Sequence, residues 1–568
     1  MKPLALLLAL NAVLLLSVAG ADSRGPAKLY GDFTAASRSA ETVNVIVRFT
    51  KPPNPRLHAL VRHHGGELRR ELAIIDSAAY RIPARKLRRL AAQPEIASIS
   101  LDQQVKATMD TTAATVGAPT AWNTYGLTGK GIGVAVIDSG VGYHADLFIN
   151  GNPQVVYNAF YRSDTTIDDL AGHGTHVAGI IAGNGTNSTG SGYTRTFKGI
   201  APGANIINIA VLDRYSQGTD SNVIAGIQQA IALKSTYNIR VINLSLGRPV
   251  QQSYTTDPLC QAVEAAWKAG IVVVVAAGNE GRNNSANTQG YGTIDAPGND
   301  PFVITVGATK TGGTPGRSDD AIASYSSKGP TLLDHVVKPD LVAPGNQIVS
   351  LEAGGGRMRN AYPSNDVLLQ YFEKNVTASN QGSDQYYWLS GTSMSTPVVS
   401  GAVALLLQKD PTLTPDQVKA RLMKTAWKGL PAVSYATDPS TGITYTSHSD
   451  LFTVGAGYLD IAAAVANTDK AAGSALSPKV DVSGSTVTLD FSNSQGLSVI
   501  WGTNVIWGTN VIWGTSLVSG NAVLGGSSVI WGTSGTSGFS VIWGTSVIWG
   551  TGNPVAAESD LLALGGEK

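Results

Sequence analysis

A single cysteine, Cys260, in 568 residues excludes an intramolecular disulfide and any Cys-built zinc or iron–sulfur centre within one chain. Charge is scarce as well. Asp, Glu, Lys and Arg make up 14% of the chain, and 41 basic residues nearly cancel 40 acidic ones. Such a balance gives the whole chain no electrostatic pull on nucleic acid. Low charge with 43% hydrophobic residues also excludes wholesale disorder. Beyond the N-terminus, no apolar run approaches the ~20 residues that span a bilayer. The length exceeds one compact core, so three or four folding units are expected.

The near-zero total conceals an asymmetry. Residues 43–106 hold 12 Lys/Arg against 5 Asp/Glu, whereas 107–568 hold 25 against 32. Two pieces of opposite sign attract each other. Ahead of them, residues 1–21 read as a secretory signal: Lys2, an apolar run from Leu4 to Val18, then Ala19-Gly20-Ala21 as a cleavage site. The alternative is a membrane anchor. Residues 43–106 read as a small α+β module. Strands are expected at 43–49, 76–82 and 96–101, and helices at 57–65 and 83–92.

From about residue 111 to 467 the pattern is α/β. Apolar runs at 132–137, 204–212, 241–244, 271–276 and 302–306 alternate with helical stretches at 176–182, 221–233 and 258–269. This predicts a mostly parallel sheet between two helical layers. Ligands then sit at the carboxyl ends of the strands. The tail, 476–551, is different. Val-Ile-Trp-Gly-Thr recurs, with Trp501, Trp507, Trp513, Trp531, Trp543 and Trp549 separated by multiples of six. A period divisible by two places Val, Trp and Thr on one face of an extended strand, which predicts short stacked strands. The aromatic stripe serves as a stacking core in one reading and as a carbohydrate platform in another.

Three polar segments stand where packing alone would not put them. Asp138 ends the apolar run Val134–Ile137. His173 opens a helix in Gly172-His173-Gly174-Thr175-His176. Ser393 lies in Gly391-Thr392-Ser393-Met394-Ser395-Thr396-Pro397, near the N-terminus of an apolar helix, where the macrodipole favours developing negative charge. Pro397 then fits only in the first helical turn. Each residue alone is explained by capping or turn formation. Together they supply an orienter, a base and a nucleophile, because a serine hydroxyl attacks only when an imidazole takes its proton. Asn279, after the apolar run 271–276, adds an amide donor for an oxyanion. A surface protein that recognises peptide without cutting it is the competing class.

With Asp, His and Ser in this chain order, residues 111–467 resemble the subtilases, the subtilisin-like serine proteases. The resemblance implies a secreted serine endopeptidase acting on protein or peptide substrates through Asp138, His173, Ser393 and Asn279. The first histidine of the motif, His173 rather than His176, takes the base role. Residues 43–106 resemble the family's inhibitory propeptide, so the chain is expected as a self-processing zymogen.

Ser245-Leu246-Gly247 resembles the strand that pairs with extended substrate, with Arg248 following it in place of a small residue and altering one wall. Thr293–Gly298 resembles the floor of the primary specificity pocket. Asp295 stands where many subtilases have Gly and the proprotein convertases carry Asp. With Glu280 at the rim, two carboxylates favour Lys or Arg before the scissile bond; a solvated Asp is the alternative. No cofactor is required for the chemistry. A structural calcium is implied at Asp146, although the matching loop 185–192 is altered. Nucleic acid is not an expected partner. The tail is expected to bind cell envelope or polymer.

Overall fold

Val45, Val47 and Phe49 alternate with more exposed neighbours, and they form the buried face of the strand Thr42–Phe49. This strand lies near the centre of a five-stranded sheet. The order is Leu29–Tyr30, Ile96–Leu101, Thr42–Phe49, Ser77–Pro83, Glu67–Leu72. The helix Pro55–His63 starts on Asn54, whose side chain accepts from the N–H groups of Arg56 and Leu57, and it buries Leu57 and Val61. A 3-10 turn, Ala84–Lys86, leads into a short helix, Leu87–Ala91, which buries Leu87 and Leu90. His58 is buried between the Tyr80 hydroxyl, at 2.6 Å, and Glu71, at 2.8 Å. These elements belong to one compact unit, residues 1–106; residues 107–568 form a second.

The protein is represented by a computed structural model that describes residues 42–72, 76–101, 109–162, 166–285, 287–376, 380–438, 441–483 and 486–490. Short strands at 29–30, 512–513, 516–517 and 555–556 complete it. The signal-like stretch 1–21, Lys106, and Trp501, Trp507, Trp531, Trp543 and Trp549 of the repeats lie outside the described residues. Trp513 ends a two-residue strand antiparallel to Ser516–Leu517.

The second unit is built on a sheet whose order is Ala321–Ile322, Ile304–Lys310, Val272–Ala276, Ile239–Leu244, Gly133–Asp138, Asn205–Ala210, Val155–Phe160. Leu341–Pro344 also pairs with Ile304–Lys310. Apart from the antiparallel Ala321–Ile322, every pairing is parallel. The inner strands are buried on both faces, which is why they read as largely apolar, Val- and Ile-rich runs. Helices His173–Ala182 and Thr392–Lys409 pack together, and Asp220–Ala232 packs on Pro258–Lys268. Thr392–Lys409 is buried all round through Leu407, as befits a helix inside a core rather than on its surface.

One ionic cluster lies deep in this unit. Asp340 pairs with Lys338 at 2.7 Å and Lys419 at 3.1 Å, and all three side chains are fully buried. Ser477 donates to Asp340 at 2.6 Å and accepts from Lys419 at 2.9 Å, tying the segment around Ser477 to the core. Among the described residues no helix is long and apolar enough to cross a membrane.

Candidate active site

Asp138 is the last residue of the central strand Gly133–Asp138. On one side Asn205–Ala210 runs parallel to it, with Ala210 opposite Asp138. On the other side Asn243 lies opposite Val136, so continuing the register places Ser245 beside Asp138. Asp138 and Ser245 therefore leave the same carboxyl edge on strands about 4.8 Å apart. The next strand outward, Val272–Ala276, runs on through Gly278 to Asn279.

The imidazole of His173 is fixed from beneath. Its Nδ1 lies 2.8 Å from Asp138 Oδ1, and both side chains are buried. A proton on Nδ1 is thereby held by the carboxylate, leaving Nε2 as the basic ring nitrogen. His173 begins a helix that meets the Asp138 strand closely. A Cβ on Gly174 would lie 2.1 Å from the Gly140 carbonyl, so only glycine permits this approach.

Asp169 caps the same helix, a role the sequence reading missed. Its carboxylate accepts from the N–H of Gly172 at 2.9 Å, the N–H of Thr175 at 2.8 Å and the hydroxyl of Ser139 at 2.8 Å. Ser139 in turn accepts from the Gly174 N–H at 3.0 Å. Burial pushes the Asp169 carboxyl above its ordinary range, against the pull of these donors. An Asp four residues before the helical histidine was the available signal.

His176, one turn on, points elsewhere. Its Nε2 lies 3.1 Å from the Ile348 carbonyl and 3.0 Å from that of Tyr387. Burial drives it down to about 3, so it stays neutral and donates to the backbone.

Ser393 is the second residue of the helix Thr392–Lys409. Its hydroxyl donates to the Ser245 carbonyl at 3.0 Å. Asn279 Oδ1 accepts from the Thr392 N–H at 3.0 Å, which ties the Asn279 side chain to the residue before Ser393. The Gly278 N–H donates to Thr392 Oγ1 at 3.1 Å. Pro397 corrects the sequence expectation: it is the sixth helical residue and lies beyond the first turn. It has no N–H for the carbonyl four residues back, which is that of Ser393. The Ser245 hydroxyl donates to this freed carbonyl at 2.8 Å.

In the segment 293–298, expected as the floor of the specificity pocket, Asp295 lies between two strand extensions. A Cβ built on Gly278 would meet Asp295 Oδ2 at 2.9 Å and Glu280 Oε2 at 2.8 Å, and one built on Gly247 would meet the Asp295 Cβ at 2.9 Å. The two carboxylates thus close on the same point beside the Ser245-Leu246-Gly247 segment. The Glu280 residue is exposed by area, yet its carboxyl end folds back onto Ser327, which donates at 3.1 Å. Burial of that end pushes its carboxyl upward, partly offset by the Ser327 bond.

Arg248 does not form a pocket wall with its side chain. The guanidinium is buried against Asp220 at 2.8 Å and Asp257 at 2.9 Å, while its backbone exchanges two bonds with Ala296 at 2.8 and 3.0 Å. The charge is neutralised inside the protein, and only the backbone faces the floor segment.

Asp146 accepts from the Asn187 N–H at 2.7 Å and from the Tyr386 hydroxyl at 2.6 Å. A calcium ion needs oxygens with free lone pairs, six to eight of them. Each Asp146 oxygen accepts one of these donors, which leaves lone pairs on both for a cation. Among the described residues no group of three or more His, Cys, Asp or Glu could hold a metal.

Residues 129–458, more than half of the chain, match the subtilase family, Peptidase S8. The chain belongs to the subtilase family. Serine protease AprX of Bacillus subtilis (strain 168) is 38% identical over 333 residues, 58% of this subtilase and 68% of AprX. Subtilisin E of the same strain is 33% identical over 401 residues, 69% of this chain and 87% of its own. The Extracellular serine proteinase of Thermus sp. (strain Rt41A) is 33% identical over 366 residues, 62% and 71% of the two chains. A solved structure, fervidolysin from Fervidobacterium pennivorans, aligns at TM-score 0.45 with 24% identity, covering 76% of this chain and 62% of that one. This subtilase is a serine endopeptidase.

Proposed function

We propose that the subtilase is a secreted, self-processing zymogen in which Ser393 is the nucleophile, His173 the base, Asp138 its orienter and Asn279 an oxyanion donor. The observation that carries this reading is the 2.8 Å contact between His173 Nδ1 and Asp138 Oδ1, at the edge from which Ser245 and Asn279 also emerge. His173 Nε2 takes the Ser393 proton as Oγ attacks the peptide carbonyl. The oxyanion is met by the Asn279 amide and the Ser393 N–H. His173 then passes the proton to the leaving amine, and water hydrolyses the acyl-enzyme.

Residues 1–21 direct export, and the basic segment 43–106 inhibits the enzyme until it is cut away. The Asp295 and Glu280 carboxylates favour a Lys or Arg side chain before the scissile bond, since paired carboxylates bind a cation through charge-assisted hydrogen bonds. The Trp-rich repeats attach the enzyme to the cell envelope or a polymer; comparing retention with and without residues 498–551 checks this. For the central reading, Ser393→Ala should abolish both peptide cleavage and separation of residues 43–106 in cis. A Ser393→Ala chain that still processes itself contradicts the assignment.

A further inference from the structure

The carboxyl rim carries a short strand besides the segment Ser245–Gly247. Beyond Ala210 the chain stays joined to Asp138, with the N–H groups of Val211 and Leu212 donating to the Asp138 carbonyl at 2.8 and 3.2 Å. It then turns through a loop fastened by Asp213 and emerges as the two-residue strand Gln217–Gly218. Two residues later Asp220 binds Arg248, the residue whose backbone pairs with the pocket floor. Gln217–Gly218 thus lies on the rim between the Asp138 end of the sheet and the floor.

This short strand already has a partner. Val555–Ala556, from the far side of the Trp repeats, pairs with it antiparallel, Gly218 opposite Val555 and Gln217 opposite Ala556. The backbone of Gln217 is turned inward: its N–H donates to Asp213 Oδ1 at 3.0 Å and its carbonyl accepts from the Asp213 N–H at 2.8 Å. By strand alternation, the outward groups are those of Gly218, opposite Val555. An exposed edge of this kind takes extended peptide by strand addition.

We infer that residues 555–556 of the enzyme's own tail are a built-in ligand of the substrate cleft, added as a strand to Gln217–Gly218 and competing there with extended substrate. The inference rests on the reading of this cleft as the peptidase site. A tethered competitor acts at an effective concentration set by its tether and lowers the fraction of cleft free for substrate. It raises KM and leaves kcat alone.

The test compares the processed full chain with Val555→Pro, which removes the N–H facing Gly218, with Val555→Ala, which keeps it, and with a chain ending at Pro554. Val555→Pro and the shortened chain should lower KM about 2–10-fold at constant kcat, with Val555→Ala unchanged. If the parent trims its own tail just past Ala556, Val555→Pro should instead retain Lys568 by intact mass, which equally supports docking. Unchanged KM together with an unchanged C-terminus in Val555→Pro overturns the inference. Absence of turnover in every form, the parent included, counts against the peptidase reading rather than against tail docking.

Discussion

The hydroxyl of Ser245 donates to the main-chain carbonyl of Ser393 at 2.8 Å, and the hydroxyl of Ser393 donates to the carbonyl of Ser245 at 3.0 Å. This reciprocal pair joins the segment Ser245–Gly247 to the start of the helix that carries Ser393, the proposed nucleophile. It exists because Pro397 cannot supply the helical N–H that the Ser393 carbonyl would otherwise accept. Asn243 donates to Ser245 Oγ at 2.9 Å and so commits the Ser245 proton to Ser393.

Ser245→Ala should therefore lower kcat/KM about fivefold, the value of one hydrogen bond near 1 kcal/mol. Pro397→Ala restores the helical donor. The double variant Ser245→Ala/Pro397→Ala should recover most of the loss, read as non-additivity in steady-state kinetics. Additive losses would show that the Ser245 hydroxyl acts otherwise.

The roles proposed for Asn279 and Asp138 are separable by size of effect. Asn279→Ala should cost about 10²–10³ in kcat with little change in KM. Asp138→Asn should cost about 10⁴, because the amide holds the wrong tautomer of His173. Steady-state kinetics on one peptide substrate measures both.

Much of this arrangement was legible in the sequence. Asp138 and Asn279 stand out in the sequence as polar residues after apolar runs, and His173 and Ser393 as polar residues at the start of helices; strands such as Val272–Ala276 stand out because burial on both faces leaves mainly Val and Ile. The strand Glu67–Leu72 escaped because it is an edge: its Glu and Arg side chains face solvent and no alternation survives. Val155–Phe160, the opposite edge of the large sheet, is only half-covered, with the same result. Pro397 was misplaced because the rule that proline breaks a helix ignores a side-chain donor waiting for the orphaned carbonyl. The ion pairs that turn Arg248 inward join Asp220 and Asp257, a tertiary encounter that spacing does not encode.

Specificity should depend on pH through Glu280. Its carboxyl is pushed upward by burial, so it is neutral at low pH and becomes anionic only above the ordinary glutamate range. The ratio of kcat/KM for Lys against Leu before the scissile bond should rise with pH through that shifted titration. Asp295→Gly should lower the ratio about 10-fold or more, the scale of one lost charge-assisted bond. A ratio below one in the parent, or one indifferent to Asp295→Gly, contradicts a basic preference.

Stability should fall in acid because of His176. Its folded value is near 3 and its unfolded value near 6.5, so the unfolded state binds the extra proton between them. Its contribution is complete above pH 6.5 and is lost as pH falls toward 3, at up to about 1.4 kcal/mol per pH unit. Thermal unfolding midpoints of the parent should drop more steeply from pH 6.5 to 4 than those of His176→Gln.

Asp340→Ala should destabilise the catalytic unit by about 3–5 kcal/mol, since Lys338 and Lys419 would be left buried without their counter-charge. Denaturant unfolding of the Ser393→Ala background, which does not digest itself, measures this. A change under about 1 kcal/mol would mean that the cluster is not held together by charge.

The identity of the nucleophile is tested most directly by reacting the enzyme with a fluorophosphonate and mapping the adduct by mass spectrometry. The adduct should sit on Ser393, and both labelling and turnover should vanish in Ser393→Ala. An adduct on any other residue, or labelling that survives Ser393→Ala, would contradict the account.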